Sequence, residues 1–164
     1  MQSKELLVMA NQQAYFLTMP LMEDMQTAPL VPPTPGGNHA HWVVGHLLFS
    51  EGRFQQIMKG GENQFEEMQV NFGGRSIPEP QGKGYRTYHD LLSEIKSQHQ
   101  RVMTLLETLT EDDLDQPCQS CPPGFEPFFG TWRQVFLMRP MHWMIHRGQL
   151  ADCRRAAGRE PLLA

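Results

Sequence analysis

The stretch HWMIHRGQL, residues 142–150, sets two histidines four positions apart among Trp143, Met144, Ile145 and Leu150. Residues at that spacing share one face of an α-helix, a turn apart, so the imidazoles of His142 and His146 converge on one point. Outward from the pair the same face continues through Val135 and Met138 on one side and Gln149 and Cys153 on the other, at spacings of three and four. That is the inward stripe of one long helix. Thr131, followed three positions later by Gln134, makes a capping signature at its start. The helix is expected to reach about Ala157, with Pro140 bending it just before the first histidine of the pair.

The rest of the chain repeats this rhythm. A first helix is expected to begin after Ser3 and to carry Leu6, Leu7, Met9, Ala10, Tyr15, Phe16, Leu17 and Met19. Pro20 should kink it or end its first part, because proline removes a backbone donor and crowds the preceding turn. TAPLVPPTPGG, residues 27–37, cannot be helical. Asn38 then suits the N-cap of a second helix running to about Lys59, where Gly60 and Gly61 stop it. Glycines and prolines between Asn63 and Gly84 spell a long irregular crossover, and Thr87–Asp90 opens a third helix that runs as far as Leu109. Thr110–Asp113 repeats the capping pattern for a short turn, and QPCQSCPPGFEPFFG, residues 116–130, is a second irregular loop. No stretch alternates with period two, and no segment repeats. The expected architecture is all-α, a single-domain four-helix bundle over residues 1–164 with long crossover connections.

Composition narrows the function. The chain has 164 residues, 40% of them hydrophobic and 20% charged, the profile of an ordinary globular domain. A net charge of −4 gives no electrostatic reason to bind nucleic acid. No apolar run approaches the ~20 residues that cross a bilayer, so no membrane partner is expected. MQSKELLVMANQQ lacks the marks of an export leader. The three cysteines, Cys118, Cys121 and Cys153, are too few for a disulfide framework. A cytoplasmic location is the expectation.

The histidines carry the chemistry. On the second helix His39, Trp42, His46, Phe49 and Arg53 form a single stripe, with His46 inside the apolar run VVGHLLF. Three imidazoles from two helices, His46, His142 and His146, can therefore meet inside the bundle. Burying them without a shared partner would cost about 1–3 kcal/mol for each unsatisfied group. A divalent cation removes that cost by accepting a lone pair from each neutral ring. Three protein ligands leave a coordination position open, the arrangement of catalytic sites, and an all-imidazole set suits Zn, Ni, Cu or Fe.

Other polar residues take lesser parts. His39, seven positions before His46, belongs at the pocket rim or behind the ligands. Arg147 and Gln149, beside the pair, could hold an anionic or carbonyl substrate, with Trp42 also facing the pocket. Glu51 lies about 140° around the helix from His46 and reads as a solvated group or one behind the ligands. His41, His89 and His99 read as surface or packing residues, Cys118 and Cys121 as loop thiols, and Cys153 as core. The H-E-x-x-H arrangement of helical zinc proteases is absent.

GGNHAHWVVGHLLFSE (residues 36–51), the crossover, the LTEDDL turn (109–114) and HWMIHRGQL together resemble the DinB/YfiT-like superfamily of metal-dependent enzymes, most specifically in W-x-x-G-H-L and H-x-x-x-H-R-G-Q-L. The resemblance implies a four-helix bundle, often a homodimer, in which His46, His142 and His146 ligate a divalent metal such as zinc or nickel. It also implies a small-molecule substrate, with some relatives using a low-molecular-weight thiol and others regarded as hydrolases. An open metal site suits both, since the cation lowers the pKa of a thiol or of water. The leading expectation is a metal-dependent enzyme that activates water or a thiol against a small electrophile. The alternative is a non-catalytic metal- or ligand-binding bundle that serves as a dimerising module.

Overall fold

The computed structural model describes residues 3–162, and every regular element among them is helical, without a β-strand. Four long helices dominate: α1 (Ser3–Asp24), α2 (Ala40–Lys59), α4 (Tyr88–Thr108) and α7 (Trp132–Ala156). Three short ones lie in the connections: α3 (Gln69–Phe72), α5 (Glu111–Leu114) and α6 (Glu126–Phe129). α7 packs on both α1 and α2, α4 also packs on each of these, and all four long helices contribute to both of the buried apolar clusters.

Each long helix forms where an apolar face recurs every three or four residues and a side chain satisfies its first amides. In α4 that face is Tyr88, Leu91, Ile95, His99, Val102 and Leu106, all buried, and Thr87 Oγ1 accepts from the Asp90 amide. Thr131 and Gln134 form a reciprocal capping box at the start of α7, as Thr110 and Asp113 do at α5. Neither proline interrupts its helix: α1 continues through Pro20 to Asp24, and α7 passes unbroken through a buried Pro140. Tertiary packing along the rest of each helix outweighs the one backbone bond that each proline removes. Among the described residues no helix is long and apolar enough to cross a membrane.

Two local expectations need correction. The N-cap of α2 is His39, one residue beyond Asn38: its Nδ1 accepts from the Trp42 amide at 3.1 Å while its Nε2 donates to the Glu79 carbonyl at 2.9 Å. Asn38 instead reaches across to α7, where its Nδ2 lies 3.4 Å from Gln149 Oε1. The 63–84 crossover is also more ordered than its glycines and prolines imply. It holds a 3₁₀ turn at Glu66–Met68 and then α3, because Phe65, Met68 and Phe72, at spacings of three and four, are all buried in the core.

Candidate metal centre

α2 and α7 bring the three histidines together. His46 Nε2 lies 3.3 Å from His142 Nε2, which lies 3.0 Å from His146 Nε2, and the ligand atoms of all three fall within 4.8 Å of one another. Bonds of about 2.05 Å to a tetrahedral ion place neighbouring nitrogens about 3.3 Å apart, and bonds of about 2.1 Å at octahedral right angles place them about 3.0 Å apart. The observed spacings fall at these two values.

The surrounding hydrogen bonds decide which way the rings present their lone pairs. His46 Nδ1 is 2.7 Å from the Phe72 carbonyl, which only accepts, so Nδ1 carries the proton and Nε2 turns a lone pair inward. His146 Nδ1 is bound the same way, 2.9 Å from Gln149 Oε1. His142 Nδ1 is buried without a partner among the described residues, so that ring's tautomer is not set from behind. Two inward lone pairs therefore face at most one N–H, from His142, and one acceptor is left unsatisfied. A cation at the centre would accept a lone pair from all three inward nitrogens at once, and on that ground the residues present fit a divalent metal.

Electrostatics keeps the rings neutral. Burial first, then the neighbouring imidazoles, pushes His142 down to about 3 and His146 down to about 4. Burial lowers His46 as well, against the opposing pull of the Phe72 carbonyl. His142 and His146 thus stay uncharged well below neutral pH, and burial favours the same neutral form of His46, the state that metal ligation requires.

The crossover holds His46 in place through a close approach. A Cβ on Gly45 would lie 2.3 Å from the Phe72 ring, so only glycine lets Phe72 sit against α2 with its carbonyl on His46. Trp42 stacks on His46 with ring centroids 4.7 Å apart and planes 6° from parallel, and its Nε1 donates to Ser76 Oγ at 2.9 Å.

Behind the histidines, Glu51 and Arg139 form an ion pair 2.8 Å long whose side chains are 1% and 3% exposed. Glu51 also accepts from Trp143 Nε1 at 2.7 Å, while Arg139 donates to Asn11 Oδ1 at 2.8 Å and contacts His99 Nδ1 at 3.3 Å. This network ties α1, α2, α4 and α7 together. Glu51 is thus neither solvated nor available as a base. The sequence held a signal for Arg139, which precedes His142 by three on the same helix, but nothing local pairs it with a residue 88 positions away.

His142 opens outward. A cavity of about 250 Å³ includes its ring in the lining, together with Phe54, Phe125, Phe129, Pro122 and Met138, with Ser50 and Arg53 beside them. Arg53 is exposed rather than part of the inward stripe. Of the other residues expected near the ligands, Trp42 and Gln149 touch them. His39 does not: both of its ring nitrogens are engaged in the cap and the crossover. Arg147 turns to α1, with Nε 3.2 Å from the Leu17 carbonyl. Its place one residue after His146 rotates it about 100° around the helix. His41 packs against Tyr85 and Tyr88 and bonds the Arg86 carbonyl, His99 stacks on Tyr15, and His89 is exposed.

No curated protein matches the chain. The sequence profile of the DinB superfamily matches residues 11–150, a span that contains the three histidines, Gly45, Phe72, Glu51 and Arg139. The chain belongs to the DinB superfamily.

Proposed function

We propose that this chain is a metal-dependent enzyme, built as a four-helix bundle, that joins a low-molecular-weight thiol to a small apolar electrophile. The observation that carries the proposal is the convergence of the three Nε2 atoms on one point, with one of the three rings, His142, also lining a cavity with aromatic walls. A divalent cation, zinc or nickel, held by His46, His142 and His146 lowers the pKa of a thiol or water brought to it. The chain's own residues supply the rest. Phe72 and Gln149 fix two of the rings from behind, and Trp42 shields His46 from solvent. Phe54, Phe125 and Phe129 offer flat apolar surface to the electrophile, and Arg53 stands at the mouth for an anionic end of either reactant.

The absence of a carboxylate from this lining favours thiol transfer over hydrolysis. Water attack needs a positioned base, and Glu51, the nearest carboxylate in sequence, is occupied by Arg139 and Trp143. In the transfer the sulfur bonds to the electrophilic carbon, the leaving group departs with the electron pair, and the thiol proton passes to solvent. Cys118, Cys121 and Cys153 are free thiols, in keeping with a reducing cytoplasm. An exposed apolar row on α1 (Leu6, Met9) beside one on α7 (Leu137, Met141, Met144, Ile145) suits the face of a homodimer.

The test is thiol consumption with 1-chloro-2,4-dinitrobenzene and a series of small thiols, run on protein of measured metal content. Chelated protein should lose turnover and regain it with zinc or nickel, and His146→Ala should lose both metal and turnover. Equal turnover with and without metal would overturn the proposal.

A further inference from the structure

A second cavity, of about 440 Å³, lies between α1 and the C-terminal end of α7. Four arginines line it, Arg147, Arg154, Arg155 and Arg159, and no carboxylate does. In a chain of net charge −4 that concentration of guanidinium groups is unusual. The other lining residues, among them Leu17, Pro20, Leu21 and Ala151, are apolar. A solvated basic surface does not need such a floor.

The arginines differ in what already holds them. Arg154 and Arg159 share one partner, Asp24, each at 2.7 Å from Oδ2, so one carboxylate faces two cations. Arg155 faces Asp152 at 2.6 Å in an exposed pair, a contact that solvent weakens. Arg147 commits only its Nε, to the Leu17 carbonyl, and among the described residues no carboxylate pairs with it. Among the described residues Asp24 and Asp152 are the two carboxylates paired with these four guanidinium groups. Pro20 lies on the cavity wall within α1 and, lacking an N–H, leaves the Phe16 carbonyl without its helical donor.

We propose that this cavity binds a small amphipathic organic anion, a carboxylate on an aliphatic or aryl body. Its head pairs with Arg147 and Arg155 and its body lies over Leu17, Pro20 and Leu21. The guanidinium fork matches a carboxylate in two-point geometry, and the apolar floor favours a chain over a bare ion. Arg147 turns to α1, about 100° around α7 from His146, and no histidine lines the cavity, so the site is separate from the histidine centre.

The test is calorimetric titration of the full chain with octanoate, with 1-octanol and octylammonium as neutral and cationic counterparts of the same length. Octanoate should bind at one site with a Kd on the order of 10–100 μM, and both counterparts at least about tenfold more weakly. Arg147→Gln should weaken octanoate at least about tenfold, as should Ala151→Trp, which fills the cavity. Arg155→Gln, at an exposed position with little folding risk, should weaken it severalfold. The melting temperature and metal content of Arg147→Gln and Arg155→Gln should match the parent. Equal affinity for octanoate and octanol, undiminished binding by Ala151→Trp, or no octanoate binding at millimolar concentration would each overturn the proposal.

Discussion

Replacing Arg139 by methionine removes the guanidinium that neutralises Glu51, at a position where the two side chains are 3% and 1% exposed. Glu51 would keep one donor, Trp143 Nε1, while Asn11 Oδ1 and His99 Nδ1 would lose theirs. Breaking a buried pair by removing one partner costs about 3–5 kcal/mol, against a total stability of roughly 5–15 kcal/mol for a domain. At about 2–4 °C per kcal/mol for a chain of this length, the melting temperature should fall by roughly 6–20 °C. Glu51→Leu should cost a similar amount, since it strands the arginine. The double variant Glu51→Leu/Arg139→Met removes both charges together and should recover more than half of either loss. Circular dichroism melts of the four proteins at neutral pH complete the cycle. A melting temperature within about 2 °C of the parent for Arg139→Met, or a double variant that loses the sum of the single losses, would refute the reasoning.

Stability of the metal-free protein should fall as pH drops from about 6.5 toward 4. His99, His142 and His146 are depressed to about 3, about 3 and about 4, so the unfolded chain takes up protons that the fold refuses. Their contribution is full above the ordinary histidine pKa of 6.5 and is lost on acidification. Each adds a slope of up to about 1.4 kcal/mol per pH unit to urea-unfolding free energies, and His99→Phe should flatten that slope. Gly45→Ala drives a Cβ to 2.3 Å from the Phe72 ring. It should cost about 1–3 kcal/mol by overpacking, most of it recovered by adding Phe72→Leu; no recovery in thermal melts would place the clash elsewhere. The parent should elute with light scattering at twice the chain mass and Met144→Glu at one; a monomeric parent would remove the α1–α7 face from the account.

Much of this was legible in the chain because it is local. The capping boxes at Thr131/Gln134 and Thr110/Asp113 involve residues three apart, and the structure forms both. The spacing of four that aligns His142 with His146 is likewise a property of one helix. What sequence could not display depends on distant residues. His39 displaces Asn38 as the cap because the Glu79 carbonyl, 40 positions away, fixes its Nε2 proton and leaves Nδ1 to accept. Glu51 reads as solvated until Arg139 is brought to it across the bundle. Arg147 stands beside His146 in the chain and yet serves another flank, because one step along a helix is more than a quarter turn around it.

The contact of Phe72 with Gly45 also bears on how such a chain can change over generations. The crossover is not free to drift as surface loops usually are, because its docking delivers the carbonyl that sets the His46 tautomer. A mutation that enlarges residue 45 or relocates residue 72 would misplace a lone pair as well as loosen the core. In related chains that keep all three histidines, these two positions should vary only as a pair, with a side chain at 45 tolerated where 72 becomes small. Insertions should collect elsewhere, in the 27–37 connection and the 116–130 loop.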